Sequence, residues 1–292
     1  MAVRPLKPQT LQPPSDPIDV LMALLTWGTF ALILGLLAWL LGDIVKQGLP
    51  HLNWAFISTV PEDAGRRGGI LPILLSTAWI VGISLAVALP LGLATALWLS
   101  EFARSHPKFK HSLNLSLDIL AAMPSIVFGL FGNAMFCQAL GFGFSILSGG
   151  LTLACMILPI TVRTSQNALQ TVPQTYRQVG AGLGLSKTAL LRVVILPVAL
   201  PGLSVGLLLG LGRAMAETAA LIFTSGYVTR MPNSIWDSGR SLSIHIYDLA
   251  LNIPGGEASA SSTALVLIGL LVVINSIIMA LASLTQTHNS NP

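Results

Sequence analysis

Arg213 and Glu217 are the residues with the clearest chemical potential, because they interrupt a long apolar run. The surrounding segment, residues 210–223, reads GLGRAMAETAALIF. If this run crosses a bilayer, each ionised side chain costs at least about 2.5–3.5 kcal/mol on insertion scales, so the pair needs a compensating role. One hypothesis is a structural ion pair that joins helices. The other is a substrate contact, in which the planar guanidinium binds two oxygens of an oxyanion.

The amino-acid composition indicates whether water or lipid surrounds this run. The chain has 292 residues, of which 53% are hydrophobic and 9% charged, with a mean hydropathy of +0.77. A soluble domain carries about 25% charged residues, so these few charges cannot cover a globular surface. We therefore expect a polytopic membrane protein in a lipid bilayer. The isoelectric point near 9.4 then reflects membrane orientation, and a nucleic-acid partner is not expected.

Gaps between charged residues predict an all-α polytopic fold with six transmembrane helices. The predicted spans are 20–42, 74–100, 119–140, 147–163, 199–224 and 263–285, within a transmembrane domain at 20–286. A disordered tail is predicted at 1–19 and a short tail at 287–292. A cleaved signal peptide is disfavoured for the first span, because the run is long and lacks a small-residue cleavage site. In the fifth span, Arg213 and Glu217 share one helix face.

The positions of lysine and arginine predict that both termini face the cytoplasm. In this orientation nine basic residues lie inside: Arg4, Lys7, Arg104, Lys108, Lys110, Arg163, Arg177, Lys187 and Arg192. Five lie outside: Lys46, Arg66, Arg67, Arg230 and Arg240. The loop at 164–198 is then cytoplasmic, the loop at 225–262 faces outward, and the protein lies in the inner (cytoplasmic) membrane.

Motifs of enzymes are missing from the sequence. The stretch GLGLSKT at 182–188 resembles a phosphate-binding loop, but Ser186 precedes the lysine where that motif needs glycine. Neither a zinc-hydrolase motif nor a nucleophile-elbow motif occurs. Cys137 and Cys155 lie in apolar runs and the histidines lack metal-ligand spacing, so we expect no metal site and solvated histidines. The chain is therefore predicted not to be an enzyme.

The loop at 164–198 predicts two short helices, 175–183 and 186–194, separated by Gly184. Its segment YRQVGAGLGLSKTALLRVVILPVALPG resembles the cytoplasmic loop with which permease subunits of ABC importers dock on their ATPase. Gly184 and the ending VILP at 194–197 match that pattern, and Gln178 replaces its acidic residue. The resemblance implies an ATPase-coupling loop that includes Arg177, Gln178, Gly184, Ser186 and Lys187.

Other stretches resemble the A-type permease subunit of phosphate ABC importers: MPSIVFGLFG at 123–132, LPITVRTS at 158–165 and RAMAETA at 213–219. The resemblance covers residues 68–285 and implies a type I ABC importer permease fold that moves inorganic phosphate by alternating access. The implied partners are a second permease subunit in a heterodimer, a cytoplasmic ATP-binding subunit dimer and an extracytoplasmic phosphate-binding protein. ATP and Mg would bind to the ATPase, and no cofactor to this chain.

The same resemblance implies a substrate pathway that includes Arg213, Glu217 and Arg163. Glu217 is expected to neutralise Arg213 in the empty pathway and to accept a hydrogen bond from the P–OH of phosphate. Arg163 has an alternative role as a positive-inside anchor. The motif at 123–132 is expected to supply a kink and close helix packing through Pro124, Gly129 and Gly132.

Three other functions remain open. A permease for sulfate, molybdate or phosphonate would share the fold and the arginines. A secondary transporter would need no ATPase and would carry proton- or sodium-coupling residues, and the docking loop argues against it. A structural membrane scaffold would have no use for the charged pair in the fifth span.

Overall fold

The computed structural model describes residues 17–103 and 106–289, with the backbone alone at 281 and 283–289. Helix α1 spans Pro17–Gly48 and contains the predicted span 20–42. Contacts divide the chain into two units between Lys46 and Gln47, so that most of α1 forms a unit of its own. Residues 17–19, assigned to the tail, are helical, because Pro17 and Asp19 suit the first turn of a helix. The rest of that predicted tail, with Arg4 and Lys7, lies outside the described residues.

The second unit contains the remaining helices. They are α2 (Trp54–Ser58), α3 (Leu71–Leu97), α4 (Pro107–Ala122), α5 (Ser125–Gly132), α6 (Ile146–Thr171), α7 (Gln174–Gly182), α8 (Lys187–Leu190), α9 (Leu196–Ala216), α10 (Ala219–Ile222), α11 (Leu242–Leu251) and α12 (Glu257–Asn289). π-Helical turns follow α3 (Trp98–Phe102) and α5 (Asn133–Ala139), and a third (Leu191–Ile195) joins α8 to α9. Short 3-10 turns occupy Leu49–His51 and Asp63–Gly65, the latter between strands β1 (Pro61–Glu62) and β2 (Arg67–Gly68).

Five helices of the described ranges are long and apolar enough to cross a membrane. They are Pro17–His51, Leu71–Phe102, Ile146–Thr171, Lys187–Ala216 and Glu257–Ala280. A sixth span is obtained only when α4 and α5 are counted together, although they are bent by 101° at their junction. The prediction of an all-α polytopic fold is therefore confirmed, and the count of six holds if the bent pair makes one crossing.

The bend between α4 and α5 follows from Pro124. A residue before proline is forced out of helical geometry, and Met123 is extended at φ −69° and ψ 135°. The predicted span 119–140 therefore combines two elements, because residues 119–122 belong to α4. Beyond the bend, Gly129 lets α5 approach α10, since a Cβ there would lie 2.9 Å from Cα of Ala220.

Helix α6 is the centre of the second unit. Within the most apolar 18-residue stretch of each helix, 67% of the residues are buried in α6, 33% in the helix that begins with α3 and 22% in the helix that contains α9. Side chains from these three helices form the core, among them Ile80, Ile157 and Met215. Because α6 contacts both α3 and α9, it fixes the positions of the polar residues that these helices carry.

Four other predicted spans differ from the observed helices in their bounds. Helix α3 begins at Leu71 rather than 74, α6 continues to Thr171 rather than ending at 163, and α12 extends from Glu257 to Asn289 instead of 263–285. Counting uncharged residues marks the apolar part of a helix, whereas the backbone hydrogen bonding continues into polar flanks. The fifth span is predicted at 199–224, whereas the observed helix begins at Lys187 and ends at Ala216.

Candidate functional site

Arg163 is held by helix α4. Its guanidinium donates to the side-chain oxygen of Asn114 at 2.8 Å, to the Asn114 carbonyl at 3.1 Å and to Asp118 at 2.5 Å. The Gln166 side chain accepts a further bond at 3.3 Å. Arg163 therefore has a fixed position and an acidic partner, although its side chain remains 32% exposed.

Arg213 lies in the last turn of α9 and is exposed. Within residues 17–103 and 106–289 its side chain makes no ion pair or hydrogen bond. The free carbonyl groups at the end of a helix favour a nearby cation, typically by about 0.3–1 kcal/mol. The position at the end of α9 thus stabilises the positive charge while its donors remain available.

Glu217 does not share a helix face with Arg213, contrary to the prediction. The backbone leaves the helix at Glu217, where φ is −77° and ψ is 125°. Its Oε1 accepts the N–H of Ala220 at 3.1 Å, and its carbonyl accepts the hydroxyl of Ser243 at 2.5 Å. The expected pair with Arg213 is not made, because the carboxylate is turned toward the backbone of α10 and is buried.

Arg163 and Arg213 line the same cleft. Its volume is about 240 Å³, and its other walls are Leu120, Ala121, Phe128, Met156, Pro159 and Ile160. The structure thus brings two of the three predicted pathway residues together and leaves Glu217 outside the lining. Apolar walls lower the local dielectric, so an anion that enters interacts more strongly with the arginines than it would in water.

Asp118 and Asn114 are polar residues of this site that sequence reasoning missed. Both lie on α4 and contact Arg163 across 45 and 49 residues of sequence. One signal was available, because Asp118 is the last charged residue before the uncharged stretch 119–162. Asp118 gives the two arginines different electrostatic roles. It neutralises Arg163, whereas Arg213 has no acidic partner among the described residues.

The turn at Gly184 predicted in the coupling loop is confirmed, but the second helix, predicted at 186–194, is the start of a longer helix that runs from Lys187 to Ala216. Gly184 ends α7 at φ +69°, with its N–H bonded to the Ala181 carbonyl at 3.1 Å and the Leu185 N–H bonded to the Gly180 carbonyl at 3.0 Å. Ser186 then caps α8 by accepting the N–H of Ala189 at 3.2 Å. These are the hydrogen bonds of a glycine-ended helix followed by a serine-capped one. The loop is shorter than 164–198, because residues 164–171 belong to α6 and residues 187–198 belong to the helix that continues through α9.

An ion pair attaches this helix pair to the end of α3. Arg177 donates to Glu101 at 2.7 Å, and the two side chains are only 15% and 16% exposed. Arg177 also donates to the carbonyls of Leu169 and Val172 at 3.0 and 2.9 Å. Lys187 lies 5.9 Å from the ring centre of Phe102, at the same end of α3. The sequence singled out Arg177 and Lys187 but gave no signal for Glu101.

The outward faces of α7 and the following turn are apolar. Val179, Leu183 and Leu185 are exposed, Leu183 to 73%. Tyr176 is also exposed on this surface, as is Gln178 in the place of the usual acid. The helix pair therefore combines basic residues that hold it to the bundle with an apolar surface that nothing in the described chain covers.

A second ionic cluster lies between α10 and α12. Arg240 bonds Asp248 at 2.9 Å and the Tyr227 carbonyl at 3.0 Å, and its guanidinium is 3.4 Å from Nδ1 of His245. Burial, followed by the charge of Arg240, lowers the pKa of His245 to about 3. The expectation of solvated histidines is thus wrong for His245, which is fully buried. The imidazole is therefore uncharged at neutral pH, and its buried Nε2 has no hydrogen-bond partner among the described residues.

The sequence matches, over residues 88–286, the protein family described as binding-protein-dependent transport system inner membrane component. It is 30% identical over 260 residues to the probable ABC transporter permease protein YqgI of Bacillus subtilis, covering 84% of this chain and 88% of that protein. It is 32% identical over 197 residues to the phosphate transport system permease protein PstA of Haemophilus influenzae, covering 67% of this chain and 69% of that protein.

Two solved structures have a similar fold. The MetNI methionine ABC transporter in an inward-facing conformation matches with a TM-score of 0.54 and 18% identity, over 75% of this chain and 94% of that chain. A bacterial ABC transporter involved in import of the acidic polysaccharide alginate matches with a TM-score of 0.62 and 12% identity, over 91% and 98%. At these identities the likeness extends to the fold alone.

Proposed function

This chain belongs to the family of binding-protein-dependent transport system inner membrane components, and on that premise we propose that it is the permease subunit of a phosphate importer. Its fold is that of type I ABC importer permeases. It is a membrane subunit rather than an enzyme, and ATP hydrolysis belongs to a separate subunit. The substrate, the residues that contact it and the other partner subunits are the subject of the proposal.

The observation that carries the proposal is the cleft shared by Arg163 and Arg213. Arg163 is neutralised by Asp118, whereas Arg213 keeps its donors free of partners within the described residues. A free guanidinium can bind two oxygens of an oxyanion with parallel hydrogen bonds. A single free cation beside apolar walls attracts an anion without coordinating it on all sides. The ion can therefore leave again, as a transport pathway requires.

Phosphate is favoured over other oxyanions by the relatives that carry its name. The similar proteins of Haemophilus influenzae and Pasteurella multocida are both described as phosphate transport system permeases. A single arginine compensates only part of the charge of hydrogen phosphate, so a second permease subunit supplies another cation at the facing side of the cleft. Sulfate, molybdate or phosphonate is the alternative cargo, because the same arginines would bind it.

The helix pair α7–α8 is the proposed docking element for the ATPase. Its exposed apolar side chains, Val179 and Leu183 among them, suit burial against a protein partner. A displacement of α7 would reach α3 through the Arg177–Glu101 ion pair. ATP, held with Mg by an ATPase dimer, drives the cycle because it binds the two transport conformations with different affinities.

The proposed orientation places α7 and α8 in the cytoplasm, with both termini on the same side. An extracytoplasmic phosphate-binding protein would then deliver the ion to the opposite face. The distribution of lysine and arginine along the sequence supports this orientation. Cysteine labelling of Lys187→Cys and Arg230→Cys in intact cells tests it. Labelling of Lys187→Cys by a membrane-impermeant reagent would contradict it.

The substrate is tested by transport into proteoliposomes that contain the complete complex with its ATPase and binding protein. We expect ATP-dependent accumulation of radioactive inorganic phosphate, with little inhibition by a hundredfold excess of sulfate. Accumulation of sulfate or molybdate at a similar rate would replace phosphate with that oxyanion. Uptake that requires an ion gradient but no ATP would overturn the assignment to an importer of this class.

A further inference from the structure

A polar cavity of about 250 Å³ lies beside the Glu101–Arg177 ion pair, and the proposed transport pathway makes no use of it. Four elements form its walls: the end of α3, α4, α6 and α7. The lining residues are Ser100, Glu101, Lys110, Gln170, Gln174 and Arg177. The cavity shares no residue with the cleft that contains Arg163 and Arg213.

Two of the lining side chains have unused hydrogen-bonding capacity. The Ser100 Oγ is buried, and no hydrogen-bond partner for it exists among the described residues. Lys110 is half-buried, and within the same ranges its ammonium group makes no ion pair or hydrogen bond. A buried hydroxyl and a half-buried ammonium without partners are both unfavourable, so a ligand that accepts their hydrogen bonds would be stabilised.

The charges that surround the cavity indicate the sign of the ligand. Glu101 is neutralised by Arg177 at 2.7 Å, which leaves the ammonium of Lys110 as the uncompensated charge among the lining residues. Gln170 and Gln174 contribute carboxamide donors, and Ser100 contributes a hydroxyl donor. A metal cation is disfavoured, because Lys110 repels it and the one carboxylate is already paired. The set suits an anion with several acceptor oxygens and a single negative charge.

We propose that this cavity binds a phosphate group carrying one negative charge. Two sources supply such a group: inorganic phosphate in its singly charged form, and the phosphodiester of an anionic lipid at the membrane surface. The oxygens of either would accept hydrogen bonds from Lys110, Ser100 and the glutamine side chains. A ligand here contacts α3 and α7 at once, so it occupies a position from which it can restrain the docking element.

Binding is tested on the assembled permease and ATPase subunits in nanodiscs, without the phosphate-binding protein and without nucleotide, with Arg213→Ala as the background. That background removes the free guanidinium of the proposed pathway, and the dependence of the remaining binding on Lys110 and Ser100 then distinguishes this cavity from the cleft. Equilibrium binding of radioactive inorganic phosphate is measured in phosphatidylcholine nanodiscs. Retained phosphatidylglycerol is counted by native mass spectrometry after reconstitution in phosphatidylcholine with phosphatidylglycerol. The variants are Lys110→Gln and Ser100→Ala, and Lys108→Gln is the matched control, because Lys108 is exposed on the same helix and does not line the cavity.

We expect Lys110→Gln to weaken one of the two ligands by about tenfold or more, the usual effect of removing a charge-assisted hydrogen bond. Ser100→Ala should weaken the same ligand by a smaller factor, and Lys108→Gln should leave it unchanged. Loss of inorganic phosphate identifies the free ion, and loss of phosphatidylglycerol identifies the lipid. If neither ligand depends on Lys110, or if Lys108→Gln has an equal effect, the proposal is overturned. Neither result depends on whether Arg213 carries the transported ion.

Discussion

Arg163 and Arg213 line one cleft from two different helices, and of the two only Arg163 has an acidic partner in the described chain. Asp118 neutralises Arg163 and fixes its direction, whereas Arg213 lies in the last turn of α9 and has no partner for its donors among the described residues. This asymmetry suits a permease that must attract an anion and then release it. A cleft with two free guanidinium groups would bind more tightly and release more slowly.

On the proposed pathway, Asp118 should set how strongly the cleft holds its ion. We expect Asp118→Asn to lower the KM for phosphate uptake several-fold and to lower the maximal rate as well, because the anion is released more slowly. Initial rates over a range of phosphate concentrations in proteoliposomes provide the measurement. Asp19→Asn, the same change at an exposed position in α1, should have no effect. An unchanged KM in Asp118→Asn would show that Arg163 is not electrostatically active toward the ion.

The Glu101–Arg177 pair should couple the docking helix to α3. Both side chains are mostly buried, so replacing either one leaves a charge without its partner and costs about 1.5–3 kcal/mol. We expect Glu101→Gln and Arg177→Gln each to lower the amount of phosphate transported per ATP hydrolysed. In a double-mutant cycle on thermal stability, the two changes should show a coupling energy of about 1 kcal/mol or more. Strictly additive effects would indicate that the pair makes no energetic contribution.

Gly132 should tolerate no side chain. A Cβ at this position would overlap Oγ1 of Thr152 on α6, and overpacking of this kind typically costs about 1–3 kcal/mol. We expect Gly132→Ala to lower the unfolding temperature of the purified protein, and Thr152→Ala to restore part of the loss. Gly82→Ala is the control, because a Cβ at Gly82 meets nothing within 4 Å and alanine is the better helix former. A stabilised Gly132→Ala would show that α5 and α6 are less closely packed.

His245 should make the protein sensitive to acid. Its pKa of about 3 in the folded state is below the value near 6.5 of an unfolded chain, so the unfolded state binds the proton first. Stability is therefore complete above pH 6.5 and falls as the pH approaches 3, by about 2 kcal/mol at pH 5. Thermal unfolding at pH 7.5 and pH 5 measures the difference. It should shrink in His245→Gln and persist in His111→Gln, an exposed control; an equal loss in both variants would contradict the assignment.

Local patterns predicted the elements whose cause is local. Gly184 and Ser186 indicated a helix, a turn and a second helix, and the structure has them with the glycine at positive φ. The apolar runs located the spans, although not their ends. Pro124 was expected to kink a helix, and the observed change of direction is much larger, 101°.

Contacts between distant segments explain what sequence reasoning missed. Glu217 was assigned to a continuous helix, because nothing nearby in sequence shows that Ser243 binds its carbonyl and that the chain turns there. Asp118 and Glu101 acquire their roles from arginines that follow 45 and 76 residues later. The sequence gives no sign that His245 is buried, because its burial depends on the packing of α11 against α3 and α12. None of these partners can be identified from spacing within one element.

Phosphate uptake by Arg213 variants tests the central claim most directly. The complete complex is reconstituted with wild-type chain, Arg213→Ala, Arg213→Lys or Arg230→Ala, and ATPase copurification confirms that each variant assembles. Because a charge-assisted contact is lost, Arg213→Ala should reduce uptake by about tenfold or more. Arg213→Lys should retain an intermediate rate. Arg230→Ala removes an exposed arginine outside the cleft and should transport normally. If assembled Arg213→Ala complexes accumulate phosphate at the wild-type rate, Arg213 does not meet the ion and the pathway proposed here is wrong.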